Sequence, residues 1–222
     1  MFKKVLVVED FDVIHSGIKS ALEEIGIEQI EYVSYCDEAY YKIKKADINN
    51  EPFQLVISDL SFEKDGTPQK LKSGEELINK LRKKFSDLKI IVFSVEDKPF
   101  RIQHLYKNLK IQGYVWKNRN GLKELKKAIH AVFFTDQFYI SPDLNSAIHP
   151  KKAVEITDYD IFLILNLSYG FLQEDISKKL KEKGVTPSSV SAVEKRLKFL
   201  KEHFNANNPT HLVAIAKDFG LI

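Results

Sequence analysis

Five polar residues close four short apolar runs: Glu9 and Asp10 after "KVLVV", Asp59 after "QLVIS", Ser94 at the end of "KIIVFS" and Lys117 at the end of "GYVWK". Gathered in one place, the three carboxylates would repel one another and resist ionising together. A hard divalent cation relieves that repulsion. Mg2+ takes few carboxylates and keeps several waters, so it suits a partly open site. Lys117 adds a compact ammonium and Ser94 a hydroxyl. Such a set can neutralise and hold a phosphoryl group, whose transfer needs chiefly positioning and charge stabilisation.

The elements that must position these residues follow from the periodicity. Each apolar run reads as a strand covered on both faces. Between the runs lie helical patterns. Val13, Ile14, Ile18, Ala21, Leu22 and Ile25 recur at helical spacing before Gly26, "DEAYYKIKKA" spans 37–46, "GEELINKLRKKF" spans 74–85, "FRIQHLYKNL" spans 100–109 and "LKELKKAIHAVF" spans 122–133. "IEYVSY" at 30–35 is one more strand. Five strand–helix repeats with short connections predict a doubly wound (βα)5 parallel sheet over residues 1–133. In such sheets ligands bind at the carboxyl ends of the strands, where all five polar residues fall.

Residues 134–155 carry Pro142, Asn145, Ser146 and Pro150 and show no sustained period, so they read as a linker. From 156 to 222 the strand pattern disappears and an all-α four-helix domain is expected. "TDYD" at 157–160 is a capping box ahead of the first helix. Gly184 stops the second, Thr186 and Pro187 open the third, and Pro209 and Gly220 bound the fourth.

Composition excludes several classes. The 44% hydrophobic and 29% charged fractions describe an ordinary globular chain. The apolar run Val5–Val8 is too short for a signal peptide core or a membrane span. The single cysteine, Cys36, rules out an internal disulfide framework and fits a reducing cytoplasm. The six histidines show no metal-ligand spacing, and no Gly-rich phosphate loop or Ser/His/Asp nucleophile pattern appears. Net charge is only +3, but residues 177–204 hold eight basic and three acidic side chains, a local +5. A basic patch on a near-neutral chain is a candidate nucleic-acid footprint.

The order "VVED … SDL … FS … GYVWK" resembles the receiver domain of two-component response regulators, over about Lys3 to Phe133. The resemblance implies a phosphoacceptor regulator rather than an enzyme, with at most Mg2+-dependent self-phosphorylation from small donors and slow self-dephosphorylation. Asp59 would accept the phosphoryl group from a sensor histidine kinase. Glu9, Asp10, Asp59 and the backbone carbonyl of Ser61 would hold Mg2+. Lys117 would contact the phosphoryl group, Ser94 would rotate to bond it, Tyr114 would move inward behind Ser94, and Glu96 would tune dephosphorylation. A phosphatase of the haloacid dehalogenase type would want a second acid two residues after Asp59, where this chain has Ser61. Two departures stand out. The loop "LSFEKDGTPQKLKSG", with Lys64, Asp65, Lys70 and Lys72, is longer than usual, and Asn118 stands where the family often has proline.

Residues 156–222 resemble the helix-turn-helix domain of the NarL/LuxR (FixJ) type, best in "AIAKDFGLI" at the end. "SSVSAVEKRLKFL" would be the recognition helix, a kind of helix that lies in the major groove. Ser188, Ser189 and Ser191, with Lys195, Arg196 and Lys198, are the expected DNA contacts, the basic side chains gripping phosphate. The turn before this helix is about three residues longer than usual, and Val193 stands where a polar residue is common. Together the halves imply a cytoplasmic regulator without membrane attachment. Phosphorylation on Asp59 would control binding to double-stranded DNA, either through formation of a homodimer or through release of the C-terminal domain from the receiver. The alternative is a phosphorylation-controlled adaptor whose helical domain binds protein.

Overall fold

The structure is a computed structural model that describes residues 1–63, 65–135, 137–145 and 156–222. Lys64, and Asp136 and residues 146–155 of the expected linker, lie outside the described residues. The chain divides into two compact units, Met1–Pro150 and Lys151–Ile222.

The first unit alternates strand and helix: β1 (Lys4–Val8), α1 (Asp12–Glu24), β2 (Gln29–Val33), α2 (Cys36–Ile48), β3 (Leu55–Ser58), α3 (Gly74–Arg82), β4 (Lys89–Ser94), α4 (Pro99–Lys107), β5 (Gly113–Trp116), α5 (Gly121–Phe134) and β6 (Tyr139–Ile140). The sheet order is β2-β1-β3-β4-β5-β6, with every pair parallel. Because successive side chains on a strand point to opposite faces, each strand feeds two cores. Leu6, Val8, Val56, Ile90, Val92 and Tyr114 meet Ala39 and Ile43 of α2, Leu77 and Leu81 of α3, and Ile102 and Leu105 of α4. Val5, Val7, Leu55, Ile57, Ile91, Phe93 and Val115 meet Ile18 and Leu22 of α1 and Leu125, Ala128 and Ile129 of α5. Each fully buried large apolar side chain contributes about 1.5–3 kcal/mol.

The expected linker start is corrected. Residues 139–140 form β6 along the outer edge of β5, and Pro142–Leu144 form a short 3-10 turn whose Leu144 is buried in the first core. An uncovered strand edge leaves donors and acceptors unpaired. Here the Tyr139 amide donates to the Gln112 carbonyl (3.0 Å), the Ser141 amide to the Tyr114 carbonyl (3.0 Å), and the Trp116 amide to Ser141 Oγ (3.0 Å). The Tyr139 hydroxyl donates to Glu124 of α5. Two residues are too few to show a period, so only the available edge decides this strand.

Arg82, in the last turn of α3, acts as a clamp. Its guanidinium donates to the carbonyls of Leu109 (2.8 Å), Ser86 (3.2 Å), Leu88 (2.6 Å) and Lys110 (3.0 Å) and to Gln112 Oε1 (3.0 Å). Arg82→Met is expected to lower the unfolding free energy of this unit by roughly 3 kcal/mol, because several carbonyls lose a charged donor at once. Urea unfolding followed by the fluorescence of Trp116, the one tryptophan of the chain, measures it.

The second unit is α6 (Asp158–Ser168), α7 (Gln173–Glu182), α8 (Val190–His203) and α9 (Pro209–Asp218). The capping box at Thr157 and Asp160 is present, and Gly184 and Gly220 take positive φ (+66° and +67°) past the ends of α7 and α9. The expected start of the third helix is corrected. Pro187 is not its first residue: α8 starts at Val190, capped by Ser189 Oγ, which accepts from the Ala192 amide (3.2 Å). Thr186–Ser188 belongs to the turn and is tied down by Tyr159, whose hydroxyl donates to the Pro187 carbonyl (2.7 Å), and by Ser177, which donates to the Ser188 carbonyl (2.6 Å).

Candidate functional site

The parallel register sets the strand ends level. Val8 of β1 pairs with Ser58 of β3, Ser58 with Val92 of β4, and Ser94 with Trp116 of β5. The residues that follow are fixed by the same ladder: the Glu9 amide donates to the Val33 carbonyl (3.0 Å), the Asp59 amide to the Val8 carbonyl (3.0 Å), and the Lys117 amide to the Ser94 carbonyl (2.8 Å).

Glu9, Asp59 and Lys117 meet there. Lys117 Nζ donates to Asp59 Oδ2 at 2.5 Å and to Glu9 Oε2. All three side chains are at least nine-tenths buried. Burial pushes the Glu9 carboxyl above its ordinary pKa, against the hydrogen bond and charge of Lys117, and the neighbouring Asp59 charge adds to the rise. Asp59 Oδ1 accepts from the amides of Leu60 (2.5 Å) and Ser61 (3.4 Å). Asp10 lies beside this group, its Oδ2 accepting from the Glu63 amide (2.6 Å).

Two oxygens are left over: Glu9 Oε1 and Asp10 Oδ1 are buried without a hydrogen-bond partner. Buried unsatisfied carboxylate oxygens are costly and need an explanation. With Lys117 lodged between Glu9 and Asp59, no three His, Cys, Asp or Glu side chains among the described residues stand in metal-holding geometry. The spare donors are nevertheless carboxylate oxygens, the ligands a hard cation such as Mg2+ prefers.

Ser94 is fully buried, and the Glu96 amide lies 3.5 Å from its Oγ. Tyr114 lies wholly inside, its hydroxyl donating to the Glu96 carbonyl (2.8 Å) and interacting with Ser94. Burial, then the Glu96 charge, holds the Tyr114 hydroxyl far above its ordinary pKa, so it stays a donor. Glu96 is occupied on both oxygens: Oε1 accepts from the amides of Asp97 and Lys98 (3.1 Å each), and Oε2 from Arg101 (3.1 Å). Arg101 also binds Glu75 of α3 (3.1 Å). Asn118, in the usual proline position, closes a turn of its own: Oδ1 accepts from the Asn120 amide (2.8 Å) and Nδ2 donates to Asp143 (3.2 Å).

Sequence reasoning missed Arg101, which ties Glu96 to Glu75 of α3, and Tyr35, whose hydroxyl donates to Asp65 in the loop after β3; Glu75 and Asp65 are remote in sequence, and no local spacing points to either pairing. Gly74 opens the helix that the sequence predicts at 74–85. Its position was visible, but its approach to within van der Waals range of the Asp59 carbonyl was not.

In the second unit the expected contacts separate. Ser191, Lys195 and Lys198 are exposed on α8. Ser189 Oγ is engaged as the helix cap, and the Ser188 carbonyl is held by Ser177. Arg196 is partly exposed and already has a partner: its Nε and Nη2 fork onto the fully buried Asp160 (2.6 and 2.7 Å). Val193 is fully buried, which explains an apolar residue there. Lys179 is likewise partly used, donating to Asn166 Oδ1 (3.1 Å) and lying 3.2 Å over the Phe171 ring.

Comparison with known proteins agrees with this geometry. GacA, a response regulator of Pseudomonas aeruginosa, is 26% identical over 229 residues, covering 99% of this chain and 97% of that protein. GacA of Pseudomonas syringae pv. syringae is 32% identical over 150 residues, 67% of this chain and 63% of that protein. Among solved structures, RcsB of Salmonella enterica serovar Typhimurium bound to promoter rprA with the phosphomimetic BeF3− has a TM-score of 0.64 at 22% identity, covering 96% of this chain and 97% of that one. A structure of two RcsB dimers bound to two parallel DNAs has a TM-score of 0.67 at 21% identity, covering 98% of each chain. At such identities these two speak for the fold. The family model described as the response regulator receiver domain matches residues 5–130, more than half of the chain. Five polar residues on four strand ends, a buried lysine between two carboxylates and that match together place this chain in the response regulator receiver domain family.

Proposed function

We propose that this chain is a transcription regulator in which phosphorylation of Asp59 by a sensor histidine kinase controls binding of the second unit to double-stranded DNA. The observation that carries the reading is the Lys117 ammonium held between Glu9 and Asp59 at the carboxyl edge of the sheet. An Asp59 oxygen attacks phosphorus as the bond from phosphorus to the kinase histidine nitrogen breaks. Glu9, Asp10, Asp59 and the Ser61 carbonyl would hold Mg2+, which when bound neutralises charge on the phosphoryl oxygens. Lys117 exchanges its Asp59 carboxylate contact for the new phosphoryl group. Ser94 Oγ turns to donate to a phosphoryl oxygen. Tyr114, already inside, fills the space behind it, and Glu96 sets how easily water reaches the phosphorus. The added charge is thus converted into a movement of the β4 and β5 ends.

For the second unit, the exposed Ser191, Lys195 and Lys198 of α8 support a NarL/LuxR-type reading surface. The domain assignment that goes with it is a receiver through α5 and its β6 extension, then a helix-turn-helix domain from about residue 156. The RcsB complexes with DNA, one of them with dimers, support a homodimer on paired half-sites. A cytoplasmic site of action fits the family and the single buried cysteine. Among the described residues no helix is long and apolar enough to cross a membrane.

The test is binding to duplex DNA across a salt series, with and without beryllofluoride and Mg2+. Binding is expected to tighten with the mimic and to fall steeply with salt, as phosphate contacts require. Asp59→Asn is expected to abolish both the tightening and the uptake of label from a small phosphodonor. Label uptake without DNA binding in either state would instead support the adaptor reading, with a protein partner for the helical unit.

A further inference from the structure

The long connection from β3 to α3 is a strap with defined anchors. Phe62 and Leu71 pack against the first core. The Tyr35 hydroxyl donates to Asp65 Oδ2 (2.5 Å), and Asp65 Oδ1 accepts from the Thr67 amide (2.9 Å), which shapes the strap's own turn. Asp37, in the first turn of α2, accepts from the Lys70 amide through Oδ2 (2.6 Å). Glu76 Oε2 accepts from the Lys72 amide (2.8 Å). At the near end of the strap the Glu63 amide donates to Asp10 Oδ2, leaving buried Oδ1 without a partner.

We propose that Tyr35 and Asp37 are positioning residues for the acid cluster. They anchor the strap so that the Glu63 amide holds Asp10 in one rotamer, with Oδ1 as the oxygen left for Mg2+. The inference rests on the reading of Asp10 as a Mg2+ ligand. A carboxylate ligand fixed in advance loses less freedom on binding metal, and outer partners of this kind commonly matter about tenfold or more in metal affinity. Neither residue touches the cation. Asp65, anchored by Tyr35, is two residues from Glu63, and Lys70 lies seven residues along the same strap. The two anchors therefore restrain the described residues of the loop at Asp65 and at Lys70.

Mg2+ titration of the full chain, read by Trp116 fluorescence and by calorimetry, separates the possibilities. Asp37→Ala is expected to weaken Mg2+ binding about tenfold. Asp37→Asn, which keeps an oxygen to accept from the Lys70 amide, is expected to bind Mg2+ within about twofold of the parent. Tyr35→Phe keeps the ring and removes the hydroxyl; it is expected to weaken binding roughly three- to tenfold, with an unchanged urea midpoint in the absence of metal. If Asp37→Asn is as weak as Asp37→Ala, Asp37 acts through its charge and the inference fails. If Tyr35→Phe and Asp37→Ala bind like the parent while Asp10→Ala does not, the metal site stands and the strap has no part in it. If Asp10→Ala itself binds Mg2+ like the parent, the metal reading falls and this inference falls with it.

Discussion

Asp160→Asn is expected to unfold the second unit well before the first. The Asp160 carboxylate is fully buried and takes the forked guanidinium of Arg196 at 2.6 and 2.7 Å, together with the Thr157 amide and hydroxyl at 2.9 Å each. Removing one partner of a buried pair costs about 3–5 kcal/mol, because the other charge is left uncompensated. Arg196 is partly exposed, so water recovers some of its charge and the lower end applies. Whole domains are stable by only about 5–15 kcal/mol, and small ones sit low in that range. Helical circular dichroism reports both units, whereas Trp116, the one tryptophan, lies in the first. The variant is therefore expected to show an early loss of helix that precedes the fluorescence transition; a single shared transition at the parent midpoint would refute it.

The same pair sets a pH dependence. Burial alone would raise the Asp160 pKa, but the Arg196 fork and the Thr157 donors outweigh it and hold the group below its ordinary value. The folded unit thus binds this proton less readily than the unfolded chain. The stabilisation is present above the unfolded value, near 4, and is lost as pH falls through the lowered folded value. Acid unfolding of the second unit should steepen below about pH 4 in the parent and flatten in Asp160→Asn.

Gly74→Ala is expected to cost the first unit its acceptor geometry. A Cβ at this position would lie 1.8 Å from the Asp59 carbonyl oxygen, 2.9 Å from its carbon and 3.0 Å from Leu60 Cα. All three are backbone atoms, so no side chain can swing aside. The start of α3 must lift from the end of β3 and stretch the bond from the Gly74 amide to the Leu60 carbonyl (3.0 Å). Overpacking of this kind costs about 1–3 kcal/mol and occasionally more. The strain falls on Asp59 itself, so phosphodonor labelling should drop by more than the loss of folded protein explains. Gly26→Ala is the control: its site is open and its φ is +78°, so only a conformational cost of about 1 kcal/mol is expected, with labelling unchanged. Equal labelling in the two variants would show that the contact at Gly74 has no bearing on the acceptor.

Much of the molecule was legible in the sequence, because the features concerned are local. A buried strand declares itself by a run of apolar residues, and the polar residue that ends it marks the sheet edge. Parallel pairing of such runs then forces Glu9, Asp59, Ser94 and Lys117 together, as the register confirms. Helix caps at Thr157 and stops at Gly184 and Gly220 are local in the same sense.

What only the tertiary structure decided depends on which elements become neighbours. The type of Arg196 suggests a phosphate contact, and only the approach of α6 to α8 gives it a buried carboxylate partner 36 residues away. Val193 stands where a polar residue is common in the family and is core for the same reason. β6 has too few residues to carry a pattern and exists because β5 offers an unpaired edge. Tyr35 and Asp37 meet their partners in a loop that returns to the N-terminal end of α2. Periodicity and end residues are properties of one segment, and a sequence states them directly. Partners across a fold are properties of proximity, which exists only once the segments have packed.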